Sequence, residues 1–264
     1  MRIYPYISNN SVWLLAVILL TVSCDDIPRD NPFDPKNPAS FRSQLILIEA
    51  FVNTNEDPIN TEVNQYVLTA LNQLTSEYGD KIAIAEYHRG SLEDSLSRSE
   101  NDILYNKYLN GLGSSLKGVP DVFINGTAAR ITGASSIQSA QTRLETAVES
   151  FLTDISEFTL EVHIRRANSH IEIDVDIAKL GDSGAEDVVV RAVLSEFLQS
   201  PFHKNVVRKI LNPEIIPSIE NGEVKTVSIS PFPAKTSADR KMIISLTSED
   251  ELEVFQTIEV SLNE

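Results

Sequence analysis

Residues 44–60, QLILIEAFVNTNEDPIN, narrow the fold more than any other stretch of this sequence. Leu45, Ile46, Leu47 and Ile48, then Ala50, Phe51 and Val52, form a run that is apolar at both odd and even positions and is broken only by Glu49. Such a strand must be covered on both faces, which predicts the inside of a layered α/β domain rather than a half-wetted hairpin. From Asn60 the spacing turns helical: Val63, Val67, Ala70, Leu71, Leu74 and Tyr78 share one face, and Gly79 stops it. Residues 82–87 read as the next strand. Residues 91–116 begin polar and become helical, with Ile103, Leu104, Tyr108, Leu109 and Leu112 apolar and Ser99 with Asp102 placed as a capping pair. Residues 121–124 form a short strand, Asn125-Gly126 a two-residue hairpin turn, and residues 127–132 its partner. Ile137, Ala140, Leu144, Ala147, Val148 and Phe151 mark a closing amphipathic helix. The predicted order over residues 43–154 is βαβαββα.

After Asp154 the apolar period changes to two. Phe158, Leu160, Val162 and Ile164 alternate with polar residues, and Ile171, Ile173, Val175 and Ile177 do so again. Residues 188–198, 206–211, 224–229, 242–246 and 252–262 complete about seven candidate strands, a spacing that predicts an antiparallel β-sandwich of immunoglobulin-like type over residues 155–264. The expected fold class is thus α/β plus all-β.

The amino terminus reads as an export signal. Val12 opens an apolar run that ends at Ser23-Cys24, too short for a spanning helix, which needs about 20 apolar residues. Thr21-Val22-Ser23-Cys24 resembles a bacterial lipobox, although Thr21 stands where Leu, Val or Ile is usual. Cys24 is the only cysteine of the 264 residues, and the expectation is a signal peptide over residues 1–23 with lipid carried on Cys24. Residues 24–42, rich in Pro and Asp, follow as an extended tether. The formal net charge of −16 argues against nucleic acid and against electrostatic docking on anionic lipid, so attachment to the membrane falls to the lipid on Cys24.

The βαβαββα order, with Gly118-Val119-Pro120 just before the hairpin, resembles the thioredoxin fold, and that resemblance implies a cis-proline at Pro120. More narrowly, LIEAFVNT followed by a helix, NPFDPKNP after Cys24, and the segment from His203 to Arg208 resemble the outer-membrane lipoprotein family related to the twenty-eight-kDa outer-membrane protein. That family's loop often carries Cys-x-x-Cys. Laid on this sequence, the two cysteine positions become Glu56 and Ile59, so the resemblance implies a degenerate redox loop. Thiol exchange needs a thiolate, which neither residue supplies. Glu56 and Asp57 are read as helix-stabilising charge, or alternatively as a contact surface for a cationic partner.

His88, His163, His170 and His203 show no metal-ligand spacing, and no nucleotide-binding or serine-hydrolase motif occurs. No catalytic, cofactor or metal residue is therefore expected. Asp174 and Asp176 share one strand face, and His203, Lys204, Arg208 and Lys209 make a basic spot. The function expected is that of a non-catalytic, lipid-anchored protein of the cell envelope, at the outer membrane, binding an envelope protein or glycan. Two alternatives are a cysteine-independent enzyme working through Glu56, Asp57 or His88, and a surface adhesin centred on the sandwich.

Overall fold

The computed structural model describes residues 44–54, 58–90, 94–167, 169–180, 183–234 and 239–263, with residues 58–60 described by their backbone alone. The signal peptide, Cys24, the tether and Glu56 lie outside the described residues, as does the side chain of Ile59.

The chain is β-rich, with one mixed sheet and one smaller sheet. The mixed sheet takes β1 (Ile46–Val52), β2 (Ile82–His88), β3 (Asp121–Ile124) and β4 (Ala129–Thr132) from the first half of the sequence. From the second half it takes β7 (Ala185–Phe197), β8 (Asn205–Ile210), β9 (Glu214–Ile219), β11 (Arg240–Thr247) and β12 (Val254–Ser261). Its order is β12-β11-β7-β8-β2-β1-β3-β4, with β9 paired to β7. β1 and β2 run parallel in the register Ile46 to Ile82, and β8 adds to the far side of β2, also parallel, where Val206 meets Glu86. The smaller sheet is antiparallel: β5 (Phe158–Ala167), β6 (His170–Lys179) and β10 (Val224–Pro233), in the order β10-β6-β5.

The two-faced strand is covered as its composition requires. Ile46, Ile48, Ala50 and Val52 pack against Val67, Leu71 and Leu74 of α1 (Pro58–Tyr78) and Leu144 and Val148 of α3 (Ile137–Glu149). On the opposite face Leu47, Phe51, Ala83, Ala85 and Tyr87 meet Leu104, Tyr105 and Tyr108 of α2 (Ser99–Gly111). Val193, Val207, Ile243 and Val254 of the second half join that same core. A third core fills the space between the two sheets, where Ile171, Ile173, Val175 and Ile177 of β6 face Val188, Val190, Met242 and Ile244.

Local chemistry explains most boundaries. After α1 the chain turns through Gly79 at φ +52°, and Ser136 caps α3 by accepting from the Ser139 amide at 3.1 Å. The capping pair expected of Ser99 and Asp102 is not made. Arg98 is the residue before α2, and the Asp102 carboxylate instead accepts from Arg89 Nε at 3.0 Å and the Gly90 amide at 3.1 Å. The hairpin turn is also longer than two residues, because Ile124 pairs with Ala129, although Asn125 and Gly126 do take the positive φ angles expected of them, +47° and +70°. The Asn125 side chain is used elsewhere: its Oδ1 accepts from the Leu47 amide at 2.9 Å.

Candidate functional site

Because β1 and β2 are parallel, their carboxyl ends emerge side by side, the position at which open α/β sheets form ligand crevices. The two exits are tied together. The Arg89 amide donates to Val52 O at 2.9 Å, and Asn53 Nδ2 donates to Arg89 O at 3.0 Å.

Glu86 and His88 lie two residues apart on β2, so both side chains leave the face that also carries Ile82 and Ile84. His203 reaches them from the second half of the chain, on the connection into β8. That connection is held by Asn72 of α1, whose Nδ2 donates to Phe202 O at 3.2 Å, and by the packing of Phe202 on the α1 core. Glu86 Oε1 accepts the amides of Lys204 at 2.8 Å and Asn205 at 3.0 Å. Its other oxygen, Oε2, stands 3.4 Å from His203 Nδ1 without hydrogen-bond geometry. The His88 and His203 rings are 4.8 Å apart between centroids. Exposure of the side chains is 3% for Glu86, 0% for His88 and 17% for His203.

Asp94 orients this group. Its Oδ2 lies 2.9 Å from His88 Nδ1 and accepts the Thr54 amide at 3.0 Å, while Oδ1 accepts the Leu96 amide at 2.9 Å. Burial pushes the Asp94 carboxyl up, but the hydrogen bonds from His88 and the two amides outweigh it and hold the group well below the usual carboxylate range. An ionised Asp94 makes His88 Nδ1 the donor, and Nε2 meets no hydrogen-bond partner among the described residues.

A second polar group surrounds Pro120. The Val119–Pro120 peptide is cis and Pro120 is buried. Asp121 behind it accepts from Arg130 Nη2 at 2.6 Å and Tyr105 OH at 2.8 Å, and the Arg89 guanidinium lies 3.5 Å from the Tyr105 ring centroid. A third group is wholly buried. Arg191 of β7 donates to Glu49 Oε1 at 2.9 Å, Tyr87 OH donates to the same oxygen at 2.9 Å, and Tyr108 OH bridges Arg191 and Glu49 Oε2. Burial lowers Arg191, but Glu49 together with Tyr108 and Tyr87 outweighs it and keeps the guanidinium firmly charged; burial pushes both phenols well up, so they stay neutral donors.

The structure distributes the residues singled out in the sequence. Of the histidines, His88 and His203 come together, while His163 and His170 lie on β5 and β6 beside Asp176 at 3.1 Å and Glu172 at 3.3 Å. The basic spot is divided: His203 faces Glu86, Lys204 Nζ lies 5.2 Å from the Phe197 ring centroid, and Arg208 pairs with Glu196 at 2.6 Å. Asp174 is engaged by Ser228 and Arg165, and Asp176 by Thr226 and His163, which accounts for both without a cation. Sequence reasoning passed over Glu86 and Asp94. The Glu86-x-His88 alternation was the available signal for a shared face, whereas His203 is brought there by the β2–β8 pairing alone.

No protein-family model and no curated protein matches the chain. Among solved structures, HBP35 of Porphyromonas gingivalis is similar at a TM-score of 0.62 and 10% identity, over 84% of this chain and 76% of that one. Protein AGR_C_4864 from Agrobacterium tumefaciens is similar at a TM-score of 0.51 and 18% identity, over 83% of this chain and 95% of that one. At these identities the likeness establishes a shared fold, and it spans both halves of the sequence.

Proposed function

We propose that this chain is a lipid-anchored protein of the bacterial cell envelope, belonging with the outer-membrane lipoproteins related to the twenty-eight-kDa outer-membrane protein, and that it works by binding an envelope protein or glycan rather than by thiol exchange. The βαβαββα order, the parallel β1–β2 pair, the antiparallel β3–β4 hairpin on the other edge of β1 and the cis-proline opening β3 support a thioredoxin-like unit. The β10-β6-β5 sheet packed over β7, β11 and β12 supports an immunoglobulin-like sandwich beside it. One observation carries the functional reading: the sequence holds a single cysteine, Cys24, at the end of the apolar run. A scaffold of this kind without a second cysteine has no dithiol of its own to oxidise. Among the described residues no helix is long and apolar enough to cross a membrane.

Intact-mass analysis of the membrane fraction tests this. The expected species begins at Cys24 with added acyl mass and disappears in Cys24→Ala, with the chain released from the membrane; protease added to whole cells then assigns the exposed face. An unmodified chain retaining residues 1–23 would remove the basis for the proposal.

A further inference from the structure

We propose that Glu86, His88 and His203 bind one divalent transition-metal ion, zinc foremost, and that the ion fastens the connection into β8 onto β2. This stands independently of the lipid anchor and of any binding partner.

Three observations carry it. First, one donor atom from each of the three residues lies within 4.8 Å of the other two, and the set joins both halves of the chain. Second, Glu86 Oε2, His88 Nε2 and His203 Nδ1 are each buried without a hydrogen-bond partner among the described residues. An unsatisfied buried polar atom is costly, so three of them on residues that cluster this closely mark a place where a shared partner belongs. Third, the surrounding bonds already aim the donors. Asp94 holds His88 by Nδ1, the carboxylate–imidazole pairing that orients metal-bound histidine, and leaves Nε2 for a ligand, while the Lys204 and Asn205 amides occupy Glu86 Oε1 and leave Oε2 3.4 Å from His203 Nδ1.

The donor chemistry selects the ion. Two imidazoles and one carboxylate suit zinc or its first-row neighbours, and not calcium or magnesium, which require shells of oxygen. Ligands at about 2.0–2.1 Å from a tetrahedral centre stand about 3.3 Å apart. The 3.4 Å between Glu86 Oε2 and His203 Nδ1 already matches that edge. With no pair beyond 4.8 Å, closing the set asks for shifts of at most about 1.5 Å. Three protein ligands leave a fourth position for water or a donor from a partner.

The test is calorimetric titration of the full-length chain, held in detergent micelles and stripped with chelator, with Zn²⁺ alone, while melting temperature is followed in parallel. The expected result is one saturable site and a melting temperature raised by Zn²⁺. Affinity should fall about 100-fold in His203→Ala and Glu86→Gln, and about tenfold in Asp94→Asn, which acts by positioning His88. His203 is partly exposed, so His203→Ala should keep the metal-free melting temperature of the parent while losing the Zn²⁺ increment, a pattern that simple misfolding does not give. A folded parent chain without saturable uptake would overturn the proposal and leave a buried imidazole–carboxylate cluster. Uptake that survives His203→Ala but is lost in His163→Ala would overturn it equally, by placing the ion on β5 and β6.

Discussion

Arg191 and Glu49 form an ion pair without contact with water, at 2% and 0% exposure of their side chains. Desolvation of both charges is offset only while each keeps its partner and the Tyr87 and Tyr108 hydroxyls keep theirs. Arg191→Met should therefore lower the unfolding free energy by about 3–5 kcal/mol in urea denaturation, because Glu49 is left buried and uncompensated. Adding Glu49→Gln to that variant should recover much of the loss; a double variant as unstable as the sum of the singles would show that the pair has no coupling. Two glycines separate backbone strain from steric exclusion. A Cβ at Gly113, φ +60°, would meet nothing within 4 Å, whereas one at Gly126, φ +70°, would sit 2.2 Å from Leu252 O. Gly113→Ala should cost about 1 kcal/mol and Gly126→Ala about 3 kcal/mol or more, read from the same denaturation curves.

Among the elements, β9 escaped the periodicity because Pro217 interrupts it. The proline is tolerated because β9, among the described residues, is an edge strand paired with β7 alone, and the register passes from Ile216 to Ser218 across it. The helix that follows β1 carries a different kind of expectation. If Glu56 and Ile59 occupy the redox positions of a thioredoxin-like loop, the joint substitution Glu56→Cys with Ile59→Cys should form a disulfide, seen as a mass loss of two hydrogens reversed by reductant. A folded double variant with two free thiols would sink that alignment. The 125–128 turn shows how an element can be read correctly in type and missed in role. Asn-Gly was legible as positive-φ chemistry, but Thr127 N donates to Leu252 O at 2.8 Å and Gly126 bridges to Glu253, so the turn docks the two halves of the sequence together.

For the whole molecule, β8 is the pivotal strand, since it extends the β1–β4 sheet into β7, β11 and β12 and delivers His203 to Glu86 and His88. The candidate site exists because of that one junction, and the likeness to HBP35 over 84% of the chain shows that the arrangement of both halves is a shared fold. The sequence by itself determined the strand buried on both faces, the order of helices and strands through residue 154, and the alternation that makes β5 and β6. These follow from local rules: side-chain period, capping and turn chemistry act over a few residues and leave their mark in composition. It also determined that Cys24 is the only cysteine of the 264 residues. Only the tertiary structure decided that Arg191 neutralises Glu49 and that His203 completes a donor set with Glu86 and His88. Both depend on which strands become neighbours, and the energy of that choice comes from burying apolar faces at Val193, Val207, Ile243 and Val254, where the polar residues that meet as a result have no say.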